Sequence, residues 1–354
     1  MHRPRSLAIA LLVLLSIFGC STSALAREPF RVCWNAAAGG TPWGYAAQKQ
    51  IVAKWARKYR ISIDVVQVND YSEALQQYSA GQFDGCTLNN LDALTHPAAR
   101  GVDSTALIIG GFSNGNDGIL LRGKGLRAQD LKGKAVSLVA NSVSHYLLTR
   151  ALQSVQLSED DVTLSPVAAA DLAARYASGE AAAVVTWNPL LAQLQAANDS
   201  SLVFNSHHIP GEILHLMVVN TETLRSNPAL GRALTGAWFE TQKLMSARDD
   251  KGAAVISAMA RIAGMELADY QAQLSKTRSY ITPRAAVSFA QSTALPVTMQ
   301  RVAEFAFGHQ LLGKALSAQS IGMSFANGVV VGSPANIKLR FEPTFMQLAV
   351  DGTL

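Results

Sequence analysis

Two similar α/β lobes are the fold class this 354-residue sequence predicts. Three observations point there. Strand-like and helix-like runs alternate, as in βαβ units with parallel sheets. The same order of runs occurs twice, and Tyr78 and Gly81 of the first set recur as Tyr176 and Gly179, each 98 residues later. Two short extended stretches then stand where the chain would pass from one lobe to the other.

The first 26 residues fall outside this pattern. Arg3 and Arg5 precede an apolar run from Leu7 to Phe18, and small residues follow, ending Ala24-Leu25-Ala26. This is the grammar of a secretory signal, too short in its apolar part to span a bilayer. A second cut at Ile17-Phe18-Gly19-Cys20 would leave a lipid anchor on Cys20. Phe18 fits that box poorly, so soluble release is favoured. No later apolar run reaches the ~20 residues a membrane helix needs.

In the first half, "FRVCWN" (Phe30–Asn35) reads as a strand that enters a Gly-rich loop. A helical pattern from Tyr45 to Tyr59 comes next, and "ISIDVVQV" (Ile61–Val68) is a second strand. "YSEALQQYSAG" is a helix stopped by Gly81, and "FDGCTL" a third strand. The second half repeats this order: strand "KAVSLV", a polar loop, helix "SHYLLTRALQSV", strand "DVTLSPV", helix "ADLAARYASG" stopped by Gly179, and strand "AAAVVTW". Glycine suits both helix stops because positive φ costs it little.

The crossings are "GGFSNGNDGILLR", which Gly110 and Gly111 loosen ahead of Ile119–Leu121, and "IPGEILHLMVVN", with its apolar run from Ile213 to Val219. Helical periods follow in "PALGRALTGAWFETQKLM", "KGAAVISAMARIAG" and "PVTMQRVAEFAFGHQLLG", mostly assigned to the first lobe. The closing "NIKLRFEPTFMQLAVDGTL" carries too few signals to place. We therefore expect a signal over 1–26, a first lobe over 27–112, a second over 113–212, and a return to the first over 213–354.

Losing the signal lowers the formal charge from +5 to +3, because Arg3 and Arg5 are its only charged residues. So small a charge, with no basic cluster, speaks against nucleic acid or a membrane surface as partner. An oxidising compartment would allow Cys33 and Cys86 to pair. Both sit in apolar strand-like runs, however, and the expectation is two buried small hydrophobes. No C-x-x-C or H-x-x-x-H pair suggests a metal.

Ligands of parallel α/β sheets bind beyond the carboxyl ends of the strands. Four loops should then face one cleft: Trp34–Trp43, Asn89–Asp92, Asn141–His145 and Trp187-Asn188. The crossings add Asn116, Asp117 and Glu212. Trp34, Trp43 and Trp187 with Asp92, Asp117 and Glu212 would suit a small cation. Each also has a plain structural reading: core aromatics for Trp34 and Trp187, a helix staple for Trp43, a cap for Asp92, a turn for Asp117 and a solvated loop for Glu212. His207 and His208 lie in a polar loop and receive no role.

Ser142, Ser144 and His145 raise the question of a nucleophile beside its base. Such a pair needs hydrogen-bond reach, an orienting acid and an oxyanion hole. There is no G-x-S-x-G elbow, and adjacent helical residues point apart. Asn141 or Ser142 is instead a preferred N-cap, and the free N–H groups of that first turn would form a polar end to the cleft. The rival reading is an exported enzyme using His145 with Asp117 or Glu212 as acid and base.

The helix stop "SAGQFDGCT", the loop "NSVSHYLL" and "VVTWNP" resemble periplasmic solute-binding proteins of ABC importers, in the nitrate/sulfonate/taurine and thiamine-precursor group. "PWGYAA", "GVDSTALI", "FSNGNDGI", "IPGEI" and "MVVNTETL" are most similar to the branch known as urea-type binding proteins encoded beside urea carboxylase. The resemblance covers essentially the whole mature chain. It implies a type II periplasmic-binding fold, two βαβ lobes with a hinge and a ligand cleft between them, and a periplasmic, non-catalytic monomer without cofactor. It also implies delivery to an ABC permease and its ATPase. A solute related to urea or guanidine is implied, with taurine, another sulfonate, nitrate or a thiamine pyrimidine precursor as the alternative. The pyrimidine synthase of yeast-type thiamine synthesis carries a Cys-rich run that this chain lacks.

Overall fold

The computed structural model describes residues 28–35, 39–197 and 199–354. The expected signal over 1–26, with Cys20, lies outside them. The chain opens with β1 (Phe30–Trp34), β2 (Ile63–Gln67), β3 (Gly85–Asn89) and β4 (Ser104–Ser113). It then lays down β5 (Asp117–Arg122), β6 (Ala135–Leu138), β7 (Thr163–Pro166), β8 (Ala183–Trp187) and β9 (Ser200–Asn205). It closes with β10 (Leu214–Asn220), β11 (Thr277–Ser279), β12 (Gly322–Phe325), β13 (Val330–Val331) and β14 (Ile337–Phe341).

These strands form two sheets. One has the order β13-β12-β14-β4-β10-β3-β1-β2, with β11 also on β4; the other is β7-β6-β8-β5-β9. The sheets are mixed, not parallel as expected. β10 runs antiparallel to β3 and β4, and β5 antiparallel to β8 and β9. The reason is topological. Each sheet takes in a strand that enters from the other sheet, and that strand starts at the end where its parallel neighbours finish.

The internal echo has a structural counterpart. Gly81 and Gly179 both adopt positive φ, at 75° and 81°. Tyr78 and Tyr176, three residues before them, are fully buried, with their hydroxyls on Ser104 Oγ and Ser200 Oγ at 2.8 and 2.6 Å. The helix expected over 45–59 is two helices, Thr41–Gln48 and Ile51–Lys58, broken where Gln50 turns left-handed at φ 58°. The first begins early because Pro42 sits in its opening turn, where a missing N–H costs nothing. The unplaced C-terminal stretch supplies β14 and the helix Thr344–Val350.

Cys33 and Cys86 are disulfide-bonded, which corrects the expectation of two unpaired cysteines. They face each other in register on neighbouring strands β1 and β3, with Cα atoms 4.4 Å apart. Both are also fully buried, so the apolar runs mark their setting but not their pairing.

The two crossings run side by side. Ser113 Oγ meets Ser206 Oγ at 2.7 Å, Gly115 N–H donates to the same hydroxyl at 2.7 Å, and Ser113 N–H donates to Ile213 O at 2.9 Å. The helix Ala294–Gly308 makes a third link. Its Met299 Sδ accepts from Asn90 Nδ2 beside β3, while Phe305 packs edge-on against His145 and Tyr146 of the helix Val143–Ser154.

Candidate functional site

The carboxyl ends of β1 and β3 lie where β10 begins and β4 finishes, since His215 pairs with Asn89 and Leu214 with Phe112. In the other sheet, β8 finishes opposite the start of β5, with Asp117 paired to Trp187. The crossings join these two ends. The carboxyl ends of β1, β3, β6 and β8 therefore point toward one region between the sheets.

At the centre stands Asp117. It is buried, and Ser113 Oγ donates to its Oδ2. No cation is paired with it among the described residues, and burial lifts its pKa to about 6. Trp187, across the strand pair, is 39% exposed, the one expected tryptophan with a free face. Asn188 and Asn116 brace this corner. Asn188 Nδ2 donates to Asn116 Oδ1 at 3.2 Å, and Asn116 Nδ2 donates to Gln273 O and Thr277 Oγ1 at 3.0 and 2.6 Å. Their amides hold the second sheet to the first.

Trp34 and Trp43 are core residues. Trp34 lies against Gly44, where an added Cβ would come 2.3 Å from its ring, and Trp43 stacks on Trp238 at 5.3 Å between centroids. Asp92 is drawn into the turn that opens its own helix. Its N–H donates to Asn89 Oδ1 at 2.8 Å, Asn89 Nδ2 donates back to its carboxylate, and His96 Nδ1 is 3.9 Å away. Burial raises its pKa, opposed by His96, Tyr71 and Asn89.

Glu212 is neutralised from both sides. Arg150 donates through Nε at 2.8 Å and through Nη2 at 3.1 Å, Arg301 Nη1 is 3.4 Å away, and Tyr146 OH donates as well. The reading of Glu212 as a solvated loop carboxylate fails: it is buried, and both arginines reach it from helices remote in sequence from the crossing.

Ser142 caps the helix Val143–Ser154 by accepting from Ser144 N–H at 3.1 Å. Ser144 Oγ is buried and has no hydrogen-bond partner. His145 turns elsewhere: Nδ1 accepts from Asn141 N–H at 3.2 Å, and Nε2 faces Glu159 Oε2 at 3.3 Å. Burial works to raise the Glu159 pKa, but donors from His145, Thr149 and His309 outweigh it and hold it at about 2. Ser142 is occupied as the cap, Ser144 Oγ is unpartnered and His145 turns to Asn141 and Glu159, so no nucleophile–base pair forms.

His215 is a cleft-end residue that the sequence reading missed. It lies under Gly39, where a Cβ would approach its ring to 2.8 Å, and burial lowers its pKa to about 4, leaving it neutral. With Trp238 and Gln242 it lines a small recess beside the helix Thr41–Gln48. Trp238 Nε1 and Gln242 Oε1 are buried there without partners. A lone His inside an apolar strand gave no signal for this. A separate groove of about 480 Å³ has Arg127, Arg150 and Phe204 among its walls.

No curated protein matches the sequence. Solved structures do match the fold. The periplasmic aliphatic sulphonate binding protein SsuA from Escherichia coli aligns with a TM-score of 0.67 at 17% identity, over 81% of this chain and 94% of that one. The alkanesulfonate-binding protein SsuA from Xanthomonas axonopodis pv. citri, bound to MOPS, aligns at 0.62 and 21% identity over the same shares. The desulfurization enzyme DSZB aligns at 0.60 and 15% identity, over 93% of this chain and all of that one. These identities establish the fold, the two-sheet architecture of periplasmic binding proteins. The profile described as NMT1/THI5 like matches residues 55–251, more than half of the sequence, and the chain belongs to that family.

Proposed function

We propose that this chain is the exported solute-binding component of an ABC importer, holding a small solute between its lobes and presenting it to the permease and ATPase. The observation that carries this reading is the pair of hydrogen-bonded crossings, which turns the strand ends of both sheets toward one cleft. The lobes are 27–112 with 213–354, and 113–212. Export to the periplasm is supported by the signal grammar of 1–26 and by the Cys33–Cys86 disulfide, which suits an oxidising compartment. Soluble release is preferred over an anchor on Cys20, and the protein acts as a monomer.

Charge decides between ligand classes. Of the three carboxylates that would attract a cation, Glu212 carries two arginines and Asp92 belongs to a helix turn. Trp34 and Trp43 are spent on the core. The favoured ligand is therefore a small sulfonate or similar oxyanion, the class named for the SsuA structures. It would be received by the free N–H groups at the start of the helix Val143–Ser154 and by Ser144 Oγ. A urea- or guanidine-like solute is the second reading, favoured by one observation: buried Asp117 opposite the exposed face of Trp187.

Calorimetry against taurine, nitrate, urea and guanidine distinguishes them. Taurine binding that weakens at least tenfold in Ser144→Ala is the expected result. A response to guanidine or urea alone would replace the oxyanion by the cation. Chemically altered solute recovered by mass spectrometry would end the transport reading.

A further inference from the structure

Beside the helix start that would receive the solute, three side chains converge where the two halves of the molecule touch. His145 lies in the first turn of the helix Val143–Ser154, Glu159 opens the short turn Glu159–Asp161, and His309 directly follows the helix Ala294–Gly308. His145 Nε2 is 3.3 Å from Glu159 Oε2, and His309 Nε2 is 3.1 Å from the same oxygen and 3.2 Å from Oε1. One donor atom from each residue falls within 4.8 Å of the other two. Two ligands bound to zinc at ~2.0–2.1 Å with a tetrahedral angle stand roughly 3.3 Å apart. The two nitrogen–oxygen spacings match edges of such a tetrahedron, and the third edge, His145 to His309, stays within 4.8 Å and would tighten on loading.

We propose that His145, Glu159 and His309 bind a divalent transition cation of the zinc class, with the fourth position open to water, and that the ion fastens the two halves together. The donor set is the one such cations prefer, two imidazoles and a carboxylate. His309 is prepared for it: Nδ1 donates to Phe305 O at 2.8 Å, which fixes the ring so that Nε2, the atom that meets Glu159, is the one presented to an ion. The ring is held between Phe305 and His145, with centroids 4.1 and 4.4 Å away. Thr149 Oγ1 donates to Glu159 Oε1 at 2.5 Å, leaving Oε2 for the ion. Glu159 and His309 are partly exposed, so the ion has a path in and water can complete its shell.

Loading has one cost. Coordination through Nε2 puts the proton of His145 on Nδ1, so the 3.2 Å bond from Asn141 N–H is released. Asn141 is exposed, and water replaces that partner. The affinity expected is micromolar, weaker than that of a structural zinc site. His145 and Glu159 belong to the half built on β5–β9, while the helix leading to His309 contacts Asn90 of the other half. The ion thus bridges the halves beside the Arg150–Glu212–Arg301 cluster.

The test titrates chelator-treated protein with Zn²⁺ by calorimetry and follows its thermal midpoint. One equivalent should bind and raise the midpoint, while Mg²⁺ and Ca²⁺ should do neither. His309→Ala and Glu159→Gln, the latter preserving shape, should each weaken Zn²⁺ binding at least tenfold with an unchanged circular dichroism spectrum. A control removing the exposed pair, His207→Ala with His208→Ala, should leave the tight equivalent intact. Absence of binding, or binding untouched in the folded Glu159→Gln protein, overturns the proposal. The readout needs no solute, so it fails or stands independently of the transport reading.

Discussion

Asp117 begins β5 with its carboxylate buried and, among the described residues, Ser113 as its only side-chain donor, and burial raises its pKa from 3.8 to about 6. The folded state then holds the proton more tightly than the unfolded chain does. Stability from this group is full below about pH 4 and is lost as the pH climbs through about 6, a penalty of about 3 kcal/mol. Asp117→Asn keeps an acceptor for Ser113 and removes the titration. Urea midpoints between pH 4 and 7 should flatten in the variant, which should exceed the parent at pH 7 by up to about 3 kcal/mol. Parallel profiles would mean that water reaches the carboxylate. Glu212 is the contrasting case, a carboxylate equally buried but ion-paired with Arg150 and Arg301. Nothing near Glu212 in sequence distinguished it from Asp117, because its partners come from other helices.

Among the elements, the helix Thr41–Gln48 shows how closely β1 and its loop are packed. Gly44 lets the backbone ride directly on the Trp34 ring. Gly44→Ala should therefore destabilise by roughly 1–3 kcal/mol as an overpacking change, measured by denaturant midpoint. A midpoint within error of the parent would show that Trp34 can swing aside. Elements of this kind were legible where local chemistry decides them. The strands read from apolar runs and the stops at Gly81 and Gly179 are present, since both signals act within a few residues. The break at Gln50 was not legible, because nothing in its side chain demands a left-handed turn. Pairing of Cys33 with Cys86 needs the order β2-β1-β3, a property of the sheet and not of either strand. The meeting of Glu159 with His309 spans 150 residues and depends on where one helix lands. The four cleft loops were placed by topology alone, whereas which of their side chains are free depends on packing that no run of sequence displays.

At the scale of the molecule, two halves are joined by paired crossings and by the helix Ala294–Gly308, which reaches both through Met299 and Phe305. A solute touched by both lobes is held fully only when they approach, so binding energy should favour the closed arrangement. The third link limits how this happens. The helix Ala294–Gly308 must either travel with the β5–β9 half or surrender its contacts to Tyr146 and Glu212. Small-angle scattering should show a smaller radius of gyration with whichever of taurine, nitrate, urea or guanidine binds, and the thermal midpoint should rise with its concentration. Arg301→Ala loosens the third link without touching the cleft, so it should shift the unliganded radius more than the liganded one. An unchanged radius with demonstrated binding would leave the crossings as rigid struts and place the solute on one lobe alone.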